Sequence, residues 1–259
     1  MDQNTNTPAV KIACSHVSKT FIQKGRQEVP VLDDVSVEVH ENEFLVVLGP
    51  GQCGKSTLLR IIAGLETPST GHVTLNGREV DGPGADRGLV FQGYMLFPWK
   101  TVMGNVEMGL KLRGLSKTER REKAMHYIRL VGLETFEDHY PHQLSGGMKQ
   151  RVGIARVYAN NPEVMLLDEP FGQLDAQTRI FMEQETVRIW EAERRTVIFV
   201  TNNIDEAIFL GDRIVTMEGK LPGHVQKSYT VDLPRPRDFT DMAFLKLRQE
   251  IIDASVLIL

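Results

Sequence analysis

The amino-acid sequence predicts an α/β fold with a parallel β-sheet at its core. Apolar, strand-like runs alternate with runs of helical periodicity along both flanks of the chain, which is typical of parallel α/β domains. Two of these runs, at residues 164–167 and 196–200, are almost entirely apolar, as expected of strands that helices cover on both faces. Residues 98–144 carry only helical patterns, which predicts an α-helical insertion.

The predicted elements follow in order along the 259 residues. Alternating or continuous apolar runs predict strands at residues 11–17, 35–40, 43–48, 72–76, 88–91, 164–167, 196–200, 213–217 and 224–229. Apolar residues three and four apart predict helices at residues 55–63, 117–131, 147–160, 176–193, 204–210 and 241–254. We therefore expect a main domain over residues 1–233, with the insertion at about 98–144, and a C-terminal helical extension over residues 234–259.

Composition and charge narrow the class of protein. Hydrophobic residues make up 41% and charged residues 25% of the chain, which excludes an intrinsically disordered chain. The net charge of −4 argues against nucleic acid as a partner, because proteins that bind nucleic acid usually carry a basic excess. No apolar run reaches the ~18 residues of a membrane span, and residues 1–10 lack the layout of a signal peptide. We expect a cytoplasmic protein.

A glycine-rich loop stands between a predicted strand and a predicted helix. It fits the pattern G-x-x-x-x-G-K-[S/T], and its residues are Gly49, Pro50, Gly51, Gln52, Cys53, Gly54, Lys55, Ser56 and Thr57. Such a loop points backbone N–H groups at one spot, beside the positive end of the helix dipole. Lys55 supplies a charge for the β- and γ-phosphates, and the Ser56 hydroxyl can ligate Mg²⁺. The flanking strand and helix favour a triphosphate site over an incidental glycine-rich turn.

Two acidic residues follow the apolar strand at 164–167. Asp168 is placed to hold the Mg²⁺ shell, and Glu169 is placed to orient or deprotonate an attacking water. Gln92 ends another predicted strand, and its amide is a candidate for contact with both the Mg²⁺ and the water. Each of these residues is uninformative alone, but after a phosphate loop they are the expected second half of the site.

Residues 142–151 read His-Gln-Leu-Ser-Gly-Gly-Met-Lys-Gln-Arg. Followed by the strand with Asp168 and Glu169, this segment resembles the signature of ABC ATPases, whose fold adds an antiparallel β subdomain and an α-helical insertion to a P-loop NTPase core. Ser145, Gly146 and Gly147 lead into a helix and form a second anion-binding N-terminus. In that family the signature closes on the γ-phosphate held by the partner chain. The resemblance implies a head-to-tail dimer with a second ATPase subunit, identical or a paralogue, and two sandwiched ATP molecules.

The resemblance extends to other residues. Phe21 matches the aromatic residue that stacks on adenine, and Asp175, in the loop after Glu169, matches a residue that reaches across the dimer. Residues 96–99, Leu-Phe-Pro-Trp, fall where the family docks a helix of the membrane subunit, although a buried core of the insertion explains them equally well.

The tail at 231–238 and the segment 204–207 resemble the ATPases of nitrate, sulfonate and taurine importers. The implied partners are transmembrane permease subunits and, indirectly, a periplasmic solute-binding protein, with ATP and Mg²⁺ as cofactors. The resemblance implies an ATPase at the inner face of the cell membrane that drives solute import by ATP-dependent dimer closure.

The sequence departs from the family at three positions. Asn202 stands where the family has a histidine that contacts the γ-phosphate, and asparagine is shorter and carries no charge. Losing a preorganised donor at such a site costs ~3 kcal/mol, or on the order of a hundredfold in rate. Gln52 replaces a usual glycine in the phosphate loop, where a Cβ disfavours positive φ, and Gln173 replaces a usual alanine.

Three functions therefore stay open. The first is a normal transport ATPase. The second is an ATP-gated switch or degenerate partner subunit with impaired hydrolysis, which Asn202 suggests. The third is an ABC ATPase that acts on DNA or ribosomes, although the chain has neither a long coiled coil between its motifs nor two ATPase copies.

Overall fold

The computed structural model describes residues 9–22, 27–93, 95–218 and 221–254. Most of the N-terminal segment tested for a signal peptide, and residues 255–259 of the predicted C-terminal extension, lie outside this part. Its strands are β1 (Val10–Ile22), β2 (Glu28–His40), β3 (Phe44–Leu48), β4 (Thr70–Leu75), β5 (Arg78–Glu79), β6 (Arg87–Val90), β7 (Val164–Asp168), β8 (Thr196–Thr201), β9 (Arg213–Met217) and β10 (Val225–Thr230). Its α-helices are α1 (Lys55–Ile62), α2 (Val102–Val106), α3 (Met108–Leu112), α4 (Lys117–Leu130), α5 (Gly146–Ala159), α6 (Ala176–Glu193), α7 (Ile204–Leu210) and α8 (Met242–Ala254). None of these helices is long and apolar enough to cross a membrane.

The chain forms two compact units, and the first consists of Met1–Pro83 with Arg195–Leu259. One part of this unit is an antiparallel sheet with the strand order β2-β1-β4-β5. Both β1 and β2 are longer than predicted. His16 and Asp34 adopt positive φ (53° and 48°) and interrupt the regular alternation of side chains, so the sequence pattern is lost there although strand pairing resumes. The short β5 was not predicted.

The other part of the first unit holds three parallel strands. β3 lies between β8 and β9, and β10 pairs with β9 in the antiparallel direction. All residues of β8 are buried, as expected for a strand covered on both faces, and all residues of β3 are buried as well. In the register, Leu48 pairs with both Thr201 and Thr216, so these strands end at the same edge of the sheet. The glycine-rich loop leaves from that edge.

The second unit, Gly84–Arg194, combines one parallel strand pair with helices. β6 pairs with β7, and Val90 lies opposite Leu167. Between residues 98 and 144 the described elements are α2, α3, α4 and a 3₁₀ turn at Pro141–Gln143. Ser116 and Glu119 form a reciprocal capping box that starts α4. The predicted helical insertion, at about residues 98–144, is a smaller segment inside this unit. The boundaries of the insertion therefore stay a prediction. Parallel strands, an antiparallel sheet and helices together confirm the predicted fold class.

Candidate functional site

The glycine-rich loop joins β3 to α1, as predicted. Gly54 precedes the first residue of α1 and has a φ of 94°, which favours glycine. A Cβ atom at this position would lie 2.6 Å from Leu32 Cδ2 and 2.8 Å from the carbonyl oxygen of Val31. A side chain at Gly54 is therefore excluded both by its backbone conformation and by the neighbouring strand β2.

The loop wraps around the ammonium group of Lys55. This residue is only 3% exposed, and its Nζ donates to the carbonyl oxygens of Gly49 (2.8 Å) and Pro50 (2.7 Å). Because Gly54 has no side chain, it cannot cap the first N–H groups of α1. A Cβ at Gly51 would meet no described atom within 4 Å, so this side of the loop is open. A buried cation, backbone donors and an open approach fit a phosphate group.

The substitution at Gln52 has a visible consequence for the backbone. Gln52 adopts a φ of 67° and its side chain is exposed. A non-glycine residue in this region costs on the order of 1–2 kcal/mol. The conformational cost of Gln52 therefore falls on the backbone of the phosphate loop.

Asn202 lies beside the phosphate loop within the first unit. The parallel pairing of β3 with β8 places Leu48 opposite Thr201, and the N–H of Gly49 donates to the carbonyl oxygen of Thr201 (3.2 Å). Asn202 follows directly and is exposed. The next residue, Asn203, caps α7, since its Oδ1 accepts from the N–H groups of the helix's first turn.

Phe21 lies at the end of the strand that passes near the loop. It is half-buried, and the ammonium group of Lys19 lies 4.7 Å from the centre of its ring. Lys19 pairs with Leu32, the residue that packs against Gly54. The strand that carries Phe21 is thus linked to the phosphate loop through Leu32.

In the second unit, strand pairing brings Gln92 and Glu169 together. Each follows its strand, since Val90 lies opposite Leu167, and Gln92 Nε2 donates to Glu169 Oε2 (3.3 Å). Because the amide nitrogen of Gln92 is hydrogen-bonded to Glu169, its amide oxygen is the atom that could bind a metal. Asp168 ends β7 and is buried. Carboxylate and amide oxygens are ligands that Mg²⁺ prefers, so this donor set fits the cation.

Glu169 has an unusual backbone. Its φ is 42°, in the left-handed region that a non-glycine residue rarely adopts. Its carbonyl oxygen accepts from the N–H of Gly172 (3.2 Å), in the turn that follows β7. Backbone strain of this kind concentrates at functional sites, which supports a role for this carboxylate.

The signature residues stand at the start of α5. Ser145 is the N-cap, and its Oγ accepts from the N–H of Met148 (3.3 Å). A Cβ at Gly147 would lie 2.7 Å from Thr178 Cγ2 on α6. Asp175 caps α6, and the N–H of Thr178 (3.0 Å) and its hydroxyl (2.7 Å) donate to the carboxylate. These bonds hold the pKa of the Asp175 carboxyl below its ordinary value.

The second unit also carries an apolar cavity that the sequence did not predict as a whole. Its volume is about 540 Å³. Exposed apolar side chains occur at or beside it, including Met95 (59%), Trp99 (70%) and Leu112 (77%). Residues 96–99 are therefore not a buried core. The signal missed in the sequence is the pair Met108 and Leu112, spaced as one face of a helix.

The predicted site residues are divided between the two units. Phe21, the phosphate loop and Asn202 belong to the first, whereas Gln92, Asp168, Glu169, Asp175 and the signature belong to the second. In the first unit the structure places Asn202 beside the phosphate loop, and in the second it brings Gln92 to Glu169. Gln173, the third departure from the family pattern, is exposed in the turn that leads to Asp175.

Comparisons with known proteins agree with these features. The family model described as ABC transporter matches residues 32–172. An uncharacterized ABC transporter ATP-binding protein of Methanocaldococcus jannaschii is 53% identical over 94% of this chain and 91% of its own length. A nitrate import ATP-binding protein of Synechocystis is 44% identical (90% and 87% covered), and a taurine import ATP-binding protein of Rhizobium johnstonii is 46% identical (91% and 93%). The solved dimer of an ATP-binding cassette in a post-hydrolysis state with ADP and phosphate has a TM-score of 0.76 at 33% identity, covering 86% of this chain and 100% of that chain.

Proposed function

The chain belongs to the ABC transporter family, and from this premise we propose that it binds and hydrolyses ATP to drive the import of a small anion through a membrane permease. The observation that carries the proposal is the buried Lys55 ammonium inside a glycine-rich loop at the N-terminus of α1. The solute class, nitrate, sulfonate or taurine, is inferred from what the similar import proteins are named for.

The chain's own residues have distinct roles in this proposal. The loop N–H groups and Lys55 bind the β- and γ-phosphates, and Phe21 stacks on the adenine. Glu169 orients or deprotonates the water, and its hydrogen bond from Gln92 helps to fix the carboxylate. Ser56, Gln92 and Asp168 would hold Mg²⁺, which when bound neutralises charge on the phosphates.

We infer that two such subunits, identical or paralogous, close head to tail around two ATP molecules. The N-terminus of α5 at Ser145 is exposed, and the first N–H groups of a helix have no partner within that helix. Ser145, Gly146 and Gly147 can therefore receive the γ-phosphate held by the other subunit, and Asp175 lies at the neighbouring helix N-terminus. A similar cassette was solved as a dimer, which supports this arrangement.

The apolar cavity of the second unit supports the permease as a partner. Exposed Met95, Trp99 and Leu112 form an apolar surface at this cavity, suited to a helix of the membrane subunit. The chain would then lie at the inner face of the cell membrane, with a periplasmic solute-binding protein acting on the other side. Binding to a permease also distinguishes this proposal from an ABC ATPase that acts on DNA or ribosomes.

Co-expression with the permease subunits of the same operon tests the proposal. We expect the tagged chain to purify with them and to hydrolyse ATP faster when the solute-loaded binding protein is added. Leu112→Glu should prevent copurification, whereas Ile22→Glu, at an equally exposed apolar residue (76%) of the first unit, should not. Copurification with ribosomes or DNA instead of membrane subunits would contradict the proposal.

A second candidate function is an ATP-gated switch or a degenerate partner subunit. It is favoured by Asn202, which stands beside the phosphate loop where the family has histidine, and by the strained backbone of Gln52. In this alternative the chain binds ATP and dimerises but hydrolyses slowly.

The variant Asn202→His distinguishes the transport ATPase from the ATP-gated switch. If hydrolysis by the wild type is impaired, Asn202→His should raise the kcat of the assembled complex by on the order of a hundredfold, because it restores a preorganised hydrogen-bond donor. The matched control is Asn203→His, which alters the cap of α7 instead and should not raise kcat. If the wild-type complex already hydrolyses ATP as fast as the Asn202→His complex, the ATP-gated switch is excluded and the transport ATPase remains.

A further inference from the structure

The proline-rich segment between β10 and α8 carries arginines that the proposed nucleotide site does not use. Arg237 is only 8% exposed. Its Nη1 donates to the carbonyl oxygens of Ile208 (2.6 Å), Phe209 (3.1 Å) and Gly211 (2.6 Å). These oxygens lie at the C-terminal end of α7, where a cation satisfies the last carbonyl groups and complements the helix dipole.

A second arginine strengthens this contact. Arg235 Nη1 donates to Asp212 Oδ1 (2.6 Å), and its Nη2 donates to the carbonyl oxygen of Leu210, the last residue of α7. Burial, followed by the nearby charge of Arg235, lowers the pKa of Arg237 to about 10. The Arg237 guanidinium therefore stays charged at neutral pH.

The same C-terminal region also holds the start and the side of α7. Arg248, on α8, donates to Asp205 Oδ1 in the first turn of α7 (2.7 Å). The ring of Phe239 stacks on Phe209 at 4.9 Å, and Phe244 packs on Phe239 edge-on at 5.4 Å. We name residues 233–254 the C-terminal clamp, because they contact α7 at both of its ends.

The position of α7 bears directly on Asn202. The helix has 7 residues, too few to be stable by propensity alone. Asn203 caps it, and Asn202 is the residue between that cap and the end of β8. Since the carbonyl oxygen of Thr201 accepts from the phosphate loop at Gly49, a shift of α7 changes where Asn202 lies relative to the loop.

We propose that the C-terminal clamp holds Asn202 in place beside the phosphate loop, and that Arg237 is a positioning residue for ATP hydrolysis. The inference rests on the proposed function, because it assigns Asn202 to the terminal phosphate. The contrasting possibility is that Arg237 only stabilises the fold, in which case its loss affects every property of the chain alike.

The test compares Arg237→Met and Arg237→Lys in the assembled complex, with Arg78→Met as the control at an exposed arginine of the same unit. Arg237→Met should lower kcat by about tenfold or more, since misplacing a catalytic group by ~1 Å can cost on the order of a hundredfold. ADP affinity should stay within about twofold, because Lys55 and its loop are held by other elements. Arg237→Lys keeps a charge and three donors and should recover most of the lost rate.

The dependence on Asn202 separates positioning from stability. In an Asn202→Ala background, Arg237→Met should lower kcat no further. An equal drop in both backgrounds, or parallel losses of ADP affinity and kcat, would overturn the inference.

If the wild-type complex hydrolyses no ATP, the motor function fails, and the inference is judged on nucleotide preference. Arg237→Met and Asn202→Ala should then lower the ratio of ATP to ADP affinity by the same factor, and the double variant by no more. An unchanged ratio in Arg237→Met would overturn it.

Discussion

The start of α1 and the start of α5 are both candidate anion sites, but they are built differently. At α1 the N-cap is Gly54, with no side chain, and the buried Lys55 ammonium lies inside the loop. At α5 the N-cap is Ser145, whose own oxygen accepts from the N–H of Met148, and this serine is exposed.

This difference indicates which of the two sites can bind a phosphate group without a second subunit. The first brings its own buried cation and a loop that surrounds it, so it has the parts to bind a phosphate without help. The second offers an exposed helix N-terminus, and a helix dipole at an exposed site contributes only ~0.3–1 kcal/mol. In the proposed dimer, the second site therefore acts on a ligand already held by another subunit.

The largest expected effect comes from removing the cation at the first site. Lys55→Met keeps the aliphatic stem but loses the ammonium, and charge-assisted hydrogen bonds contribute roughly 1.5–3 kcal/mol each. We expect ATP affinity of the isolated chain to fall by ~100-fold, at about 1.4 kcal/mol per tenfold change. Lys149→Ala, in the first turns of α5, should leave this affinity unchanged.

Equilibrium binding of a fluorescent ATP analogue measures both variants, with circular dichroism to confirm folding. Full-strength binding by Lys55→Met, or an equal loss in Lys149→Ala, would remove the distinction between the two sites.

The second site is tested through dimer formation. Glu169→Gln should slow hydrolysis and trap an ATP-loaded dimer, visible by gel filtration with light scattering. Adding Gly147→Val should abolish this dimer, because its Cβ would lie 2.7 Å from Thr178 Cγ2 and would push the start of α5 away from α6. Gly82→Val, where a Cβ meets no described atom within 4 Å, is the control.

The isolated Gly147→Val chain should still bind ATP within about twofold of the wild type, since its first site is intact. A dimer that survives Gly147→Val, or a Glu169→Gln chain that stays monomeric with ATP and Mg²⁺, would count against the sandwich.

The sequence predicts the local features of these sites better than their long-range contacts. The loop at 49–57 and the helix starts at Lys55 and after Ser145 are local, because the pattern of glycine, N-cap and apolar period lies within a few residues. The hydrogen bond from Gln92 to Glu169 depends instead on the register of β6 with β7, which joins residues 77 apart.

The C-terminal clamp shows the same limit. Its proline-rich segment stands out in the sequence, but the acceptors of Arg237 Nη1 lie 26 to 29 residues upstream, at the end of α7. Local pattern does not specify which carbonyl groups a distant arginine reaches, because that follows from tertiary packing. The length of β1 and β2 was underestimated for a related reason, since residues with positive φ interrupt their alternation.

The smallest expected effect concerns the cap of α5 itself. Ser145→Ala removes the hydrogen bond to Met148 and should lower the free energy of unfolding by about 1 kcal/mol, at neutral and at acid pH alike, because a hydroxyl does not titrate there.

Asp175→Ala is the matched control at the start of α6, and it removes a carboxylate whose pKa is held below its ordinary value of 3.8 by hydrogen bonds from Thr178. Such a carboxylate stabilises the fold above pH 3.8, and this contribution is lost as the pH falls below that value. Urea unfolding at pH 7 and near pH 3 should therefore show a constant effect of Ser145→Ala and a shrinking effect of Asp175→Ala. A pH-dependent effect of Ser145→Ala would mean that the exposed N-terminus of α5 interacts with a titrating group. The start of α5 would then, like the start of α1 with Lys55, have a charged side chain that contributes to anion binding.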